Sequence, residues 1–132
     1  QIPIDTVAWC HGAAGVLASR IYCYRAVEDS EWKERLKKDI LRAYTKVREY
    51  WKRDSWCLCH GICGNVWSME YLNETLGEEM EVKSKIQLGG DFKLLPQERM
   101  NPGMVSGYGG ILYYFLNKKY NGLIRVSSWS IA

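Results

Sequence analysis

The sequence predicts an all-α fold, an array of α-hairpins built by repetition of one unit. The first observation is a glycine-rich motif that occurs three times, at residues 10–15, 59–64 and 105–110. The second is that each motif opens an apolar stretch, and that an amphipathic stretch with helical spacing separates the first two motifs. Motifs that recur at the spacing of these three usually mark repeats of one supersecondary unit each, which here is an inner helix followed by an outer helix.

Three inner helices are predicted where apolar residues without a strongly polar face follow the glycines, at residues 16–24, 66–72 and 111–116. Each motif has the spacing Gly-x-x-Gly at its helix start. Because glycine weakens a helix interior by about 1 kcal/mol relative to alanine, its repetition needs a structural reason. We therefore expect a neighbouring backbone to approach closely at each helix start.

The outer helices are predicted to be amphipathic. Residues 30–53 place apolar side chains three or four positions apart in one stripe, formed by Trp32, Leu36, Ile40, Ala43, Val47 and Trp51. Asp29 and Ser30 are the candidate N-caps of this helix, whose charged residues form a solvated face. Residues 78–88 predict a weaker, glutamate-rich outer helix, residues 89–103 a loop, and residues 123–131 a short extended tail.

Length and composition limit the function classes. The chain has 132 residues, 47% of them hydrophobic and 25% charged, which is typical of one globular domain. The 18 basic and 15 acidic residues give a net charge of +3, which is too balanced for a nucleic-acid-binding surface. No apolar run is long enough to predict a membrane span. Five cysteines without a secretory signal predict reduced thiols and a cytoplasmic protein.

A constellation of cysteine and histidine is the candidate site. Cys10-His11-Gly12 and Cys59-His60-Gly61 each stand at the start of an inner helix. Equivalent helix starts of neighbouring repeats lie at one end of such an array, so Cys10, Cys59 and His60 should converge. Two thiolates and one imidazole with an open fourth position are typical of catalytic Zn²⁺ sites. The alternative is that these cysteines are small packing residues at helix starts.

Three motifs resemble those of the lanthionine synthetase C-like family. Residues 8–15, Ala-Trp-Cys-His-Gly-Ala-Ala-Gly, resemble its Trp-Cys-x-Gly-x-x-Gly signature. Residues 58–65, Leu-Cys-His-Gly-Ile-Cys-Gly-Asn, resemble its Cys-His-Gly-x-x-Gly-Asn signature, and residues 102–113 look like its final glycine-rich helix. The motifs occur in order and span nearly the whole chain. The Trp-Cys-His-Gly form is common among the eukaryotic members of the family and among the cyclase domains of class II lanthipeptide synthetases, which the chain resembles most.

The resemblance implies a partial α/α toroid, in which residues 1–132 are the C-terminal part of a cyclase domain whose upstream part is absent from this chain. It implies one Zn²⁺ held by Cys10, Cys59 and His60. The implied reaction is addition of a peptide cysteine thiolate to dehydroalanine or dehydrobutyrine, which forms a thioether ring in a dehydrated precursor peptide. The alternative is a non-cyclising member of the family that holds zinc and a thiol such as glutathione.

The resemblance places the acid that protonates the reaction intermediate upstream of the Trp-Cys motif, outside this chain. His11 is therefore the candidate catalytic residue, and its alternatives are a zinc ligand, a residue near the substrate thiolate and a structural hydrogen-bonding group. We expect the chain alone to cyclise peptides weakly, because a positioned general acid contributes about 10²–10⁴-fold. An open arc would also leave inner-helix faces uncovered, so we expect self-association.

Overall fold

The computed structural model describes residues 7–52, 54–82 and 94–119, and within them every regular element is a helix. The helices are α1 (Ala13–Ala26), α2 (Ser30–Tyr50), α3 (Ile62–Leu76), the four-residue α4 (Pro96–Arg99) and α5 (Tyr108–Lys119). The predicted all-α class is confirmed. The arrangement as part of a toroid stays a prediction, and the predicted extended tail at 123–131 lies outside the described residues.

The three predicted inner helices are present as α1, α3 and α5, and the predicted outer helix as α2. Helix α1 packs against both α2 and α3, and α3 contacts α5. The core between them contains side chains with no exposed surface, among them Leu17, Ile21, Ile40, Met69 and Leu72. Burial of such a side chain contributes about 1.5–3 kcal/mol to the stability of the fold. Helix α3 contacts both α1 and α5, so it holds the three inner helices together.

Helix α2 begins and packs largely as its sequence predicts. The Asp29 carboxylate accepts a hydrogen bond from the backbone N–H of Trp32 at 2.9 Å, so Asp29 is the N-cap and Ser30 is the first helical residue. Leu36, Ile40, Ala43 and Val47 of the predicted stripe are buried. The assignment of Trp32 to that stripe was wrong, since the indole is 57% exposed. It lies in the first turn, where the Arg35 guanidinium approaches its ring.

The glycines of the three motifs allow the helix starts to pack against backbone. A Cβ added to Gly15 would lie 2.1 Å from the Trp9 carbonyl oxygen, and one added to Gly64 would lie 1.9 Å from that of Leu58. A Cβ on Gly110 would lie 1.8 Å from the carbonyl oxygen of Met104. The predicted close approach is therefore confirmed. The approaching backbone belongs to the turn just before each helix and not to a neighbouring repeat.

The predicted outer helix at 78–88 was wrong over its described part, because residues 77–81 form turns. The Val82 N–H donates to the Gly77 carbonyl at 2.9 Å and the Glu81 N–H to the Glu78 carbonyl at 3.3 Å. Glu81 lies in the left-handed region with φ 55°. This pair of bonds around a left-handed residue is the Schellman ending of a helix, so the glutamates terminate the α3 segment. Residues 83–88 lie outside the described residues.

The described part of the predicted loop at 89–103 contains the short α4, and it leads into α5. Helix α5 exposes three large apolar side chains, Leu112, Phe115 and Leu116. This exposed face gives the expected self-association a physical basis, although association itself stays a prediction. Among the residues that the structure describes, no helix combines the length and apolarity needed to cross a membrane.

Candidate metal centre

Backbone hydrogen bonds join the three motifs in a row. The N–H groups of Trp9 and Cys10 donate to the Cys59 carbonyl at 3.0 and 3.1 Å. The Cys59 N–H in turn donates to the Val105 carbonyl at 2.9 Å. Cys10, Cys59 and Val105 each stand two residues before the first glycine of their motif. The structure thus places equivalent residues of the three repeats side by side.

Cys10 and Cys59 are neighbours in this row. The Cys59 thiol is partly buried, whereas Cys10 is exposed. Burial first, and then the neighbouring Cys10 thiol, raise the pKa of Cys59 to about 11. A bound divalent cation reverses such a preference, because a coordinating thiol loses its proton outright. The pair therefore has the chemistry of a soft metal site.

Both histidines are exposed. The His11 Nδ1 atom lies 2.9 Å from the Cys10 sulfur, so the imidazole contacts the first thiol directly. His60 directly follows Cys59 in the sequence. The roles of His60 as a ligand and of His11 as a catalytic residue stay predictions.

The donors fit Zn²⁺ in their chemistry, because two cysteines lie side by side and a histidine follows each of them in the sequence. Within the described ranges, no three Cys, His, Asp or Glu residues form a group that could hold a metal ion. The structure therefore places two cysteines side by side, and the completion of the site by His60 stays a prediction.

The two cysteines on either side of Cys59 in the sequence, Cys57 and Cys63, are packing residues. Cys63 has no exposed surface and Cys57 has none either. Burial is the main cause that raises the pKa of the Cys63 thiol to about 12, with the neighbouring Cys57 contributing less. Cys63 therefore fills a small packing position, which Ala14 occupies in the first motif. Cys57 is buried as well.

An open pocket of about 340 Å³ lies beside the first thiol. Its walls are residues of the first motif and the first turns of α1, namely Trp9, Cys10, His11, Gly12, Gly15, Val16, Ala18 and Ser19. Pockets of this size accommodate small ligands, and here the only thiol in the wall is that of Cys10. The Cys10 sulfur is therefore accessible from this pocket.

A buried carboxylate behind the second motif was missed by the sequence analysis. Glu98 is 1% exposed and accepts hydrogen bonds from Ser55 and from the backbone of Trp56 and Leu95. It lies in a segment predicted as a loop, where an acidic residue is ordinarily solvated. The local sequence carries no periodic signal for it, because its partners are more than forty residues away in the chain or belong to the loop backbone.

Comparison with known proteins supports the resemblance of the three motifs. The model of the family described as lanthionine synthetase C-like protein matches residues 4–130. No curated protein and no solved structure matches the chain. The family match covers all three glycine-rich motifs and all five helices. The chain therefore belongs to the lanthionine synthetase C-like family.

Proposed function

We propose that this chain is the zinc-bearing part of a lanthipeptide cyclase, in which Cys10, Cys59 and His60 hold one Zn²⁺. The observation that carries the proposal is the pair of backbone hydrogen bonds from Trp9 and Cys10 to the Cys59 carbonyl, which places the cysteines of two separate motifs side by side. Membership of the lanthionine synthetase C-like family supports the same reading. The substrate would be a dehydrated precursor peptide with cysteine thiols.

Zn²⁺ in such a site supplies a thiolate at neutral pH from a thiol that would otherwise keep its proton. In the proposed reaction the substrate sulfur forms a bond to the β-carbon of dehydroalanine or dehydrobutyrine. The carbon–carbon double bond is consumed, and a proton is delivered to the α-carbon. The thiol proton and the α-carbon proton balance, so no oxidant or reductant is needed.

The first motif supplies the surroundings of that reaction. The pocket beside Cys10 admits a side chain from solvent, and Trp9, which packs partly against the core, forms one wall. The His11 imidazole touches the Cys10 sulfur and is exposed to the same pocket. His11 is therefore the described side chain best placed to move a proton near the substrate. A substitution of His11 should reduce the rate of addition without removing the metal.

The test joins metal analysis with a peptide assay. Zinc should be found at one equivalent in the wild-type chain and should be lost in Cys59→Ala. The wild-type chain, incubated with a peptide that contains cysteine and dehydroalanine, should consume thiol faster than Cys59→Ala does. Full zinc occupancy in Cys59→Ala would refute the ligand assignment.

The same assay separates the cyclase from a non-cyclising binder. Zinc and glutathione binding without thioether formation, by this chain and by any longer parent protein, would replace the cyclase proposal with the thiol-binding alternative. Thioether formation that increases in proportion to the zinc content of the sample would support the cyclase proposal. Mass spectrometry after alkylation of free thiols distinguishes ring formation from simple thiol oxidation.

A further inference from the structure

We propose that Glu98 is a positioning residue that fixes the Cys59–His60 turn for metal binding, an inference that rests on the proposed function. The carboxylate is 1% exposed, and burial of a charge is costly unless hydrogen bonds compensate it. Its Oε1 atom accepts from the Ser55 hydroxyl and from the Trp56 N–H, the latter at 2.9 Å. Its Oε2 atom accepts from the Leu95 N–H at 2.9 Å.

The hydrogen bonds from Glu98 continue into the loop that presents Cys59. The Ser55 hydroxyl has one proton, which it donates to Glu98, so its oxygen remains free to accept from the Cys57 N–H at 3.2 Å. The Ser55 carbonyl accepts from the Ile62 N–H at 2.9 Å, and the Cys57 carbonyl accepts from the Gly61 N–H at 3.1 Å. These bonds close residues 55–62 into one loop. Cys59 and His60 lie at its tip, opposite the carboxylate.

Glu98 also ties this loop to the third motif. The Asn101 N–H donates to the Glu98 carbonyl at 3.3 Å, and the Asn101 carbonyl accepts from the Tyr108 N–H at 2.9 Å at the start of α5. The second and third motifs are thus linked twice, directly between Cys59 and Val105 and indirectly through Glu98. These two links to the third motif, together with the bonds from Trp9 and Cys10 to the Cys59 carbonyl, define the orientation of the Cys59 turn.

The chemistry at this position requires a carboxylate. Three donors point at Glu98, and both of its oxygens accept. In Glu98→Gln the amide oxygen can retain the two donors of Ser55 and Trp56. The amide nitrogen would then face the Leu95 N–H, donor against donor, so one side of the clamp is lost with almost no change of shape.

The matched control is Glu70→Gln. Glu70 accepts from the Tyr114 hydroxyl at 2.9 Å and from the Lys118 ammonium at 3.0 Å, so it joins α3 to α5. Glu70 is a partly buried carboxylate held by donors from another helix, and it takes no part in the 55–62 loop. A general loss of packing would affect both variants, whereas a loss of loop positioning would affect only Glu98→Gln.

The experiment measures zinc affinity by competition with a chelator, and amide hydrogen exchange in the metal-free chain. We expect the zinc dissociation constant of Glu98→Gln to rise about 10–100-fold, as for other residues that orient metal ligands, and that of Glu70→Gln to change less than about twofold. The amides of Gly61 and Ile62 should exchange faster in Glu98→Gln only. The thiolate absorption of the Co²⁺-loaded protein should also change in that variant.

Unchanged zinc affinity in Glu98→Gln, with or without faster exchange, would overturn the positioning role. Should Glu98→Gln not fold, Ser55→Ala removes one arm of the clamp and should weaken zinc binding in the same direction, about 10-fold. A wild-type chain that binds no zinc would refute the proposed function instead. In that case, slow exchange of Gly61 and Ile62 that is lost in Glu98→Gln would still show that Glu98 holds the loop, and unchanged exchange would refute the loop role as well.

Discussion

The three glycine-rich motifs have the same backbone arrangement, but the third motif lacks the cysteine and histidine of the first two. Gly64 and Gly110 approach a carbonyl oxygen at nearly the same distance, 1.9 and 1.8 Å from an added Cβ. The hydrogen-bonded row nevertheless places two thiols and then the isopropyl group of Val105 at equivalent positions. The glycines therefore maintain the architecture in all three repeats, and the proposed metal chemistry belongs to two of them.

The largest difference is expected between Cys10→Ala and Val105→Ala. Zinc sites with four protein ligands bind with about 10–16 kcal/mol, so loss of one ligand should cost about 3 kcal/mol, which is more than 100-fold in zinc affinity. Val105 has no donor atom, and its contact with Cys59 uses its backbone carbonyl, so Val105→Ala should leave zinc affinity within about twofold. Titration of both variants with a zinc-selective chelator measures the difference, and equal affinities would contradict the division between the motifs.

A smaller effect, of the same size at both positions, is expected when alanine replaces Gly64 or Gly110. In Gly64→Ala and Gly110→Ala the new methyl group would meet a backbone carbonyl, which cannot move without displacing the turn. Each should lower the free energy of unfolding by about 2–3 kcal/mol, measured by urea denaturation. The control is Gly103→Ala, whose nearest neighbour is the Asn101 side chain and which should cost about 1 kcal/mol or less. A full effect at Gly64 with none at Gly110 would show that the third repeat does not share the architecture.

The smallest effect concerns Cys63, which occupies the place that Ala14 has in the first motif. Burial raises the pKa of the folded-state thiol from 9.0 to about 12, so the unfolded chain releases this proton first as the pH rises. Stability from Cys63 is therefore complete below pH 9 and is lost towards pH 12. Between pH 8 and pH 10 the metal-free wild-type chain should lose about 1.4 kcal/mol more than Cys63→Ala does. Parallel pH profiles of the two proteins would contradict the buried, neutral thiol.

The sequence predicted the inner helices and the glycine approach because both leave local patterns, an apolar run after Gly-x-x-Gly in each case. It predicted the buried stripe of α2 because helical periodicity is a local property. The prediction of a helix at the glutamates after Leu76 was wrong. The Schellman ending there depends on a positive φ at Glu81, and a glutamate in the sequence gives no indication of a positive φ. Glu98 was missed because the Ser55 hydroxyl and Trp56 N–H that it binds are distant in sequence.

X-ray absorption at the zinc edge of the loaded protein tests the central claim most directly, because it counts the donors around the metal. We predict two sulfur donors at about 2.3 Å and one or two light donors at about 2.0–2.1 Å. Loss of the nitrogen signature of imidazole in His60→Ala, with His11→Ala unchanged, would complete the assignment. A spectrum with three or more sulfur donors, or with none, would contradict a site built from Cys10, Cys59 and His60.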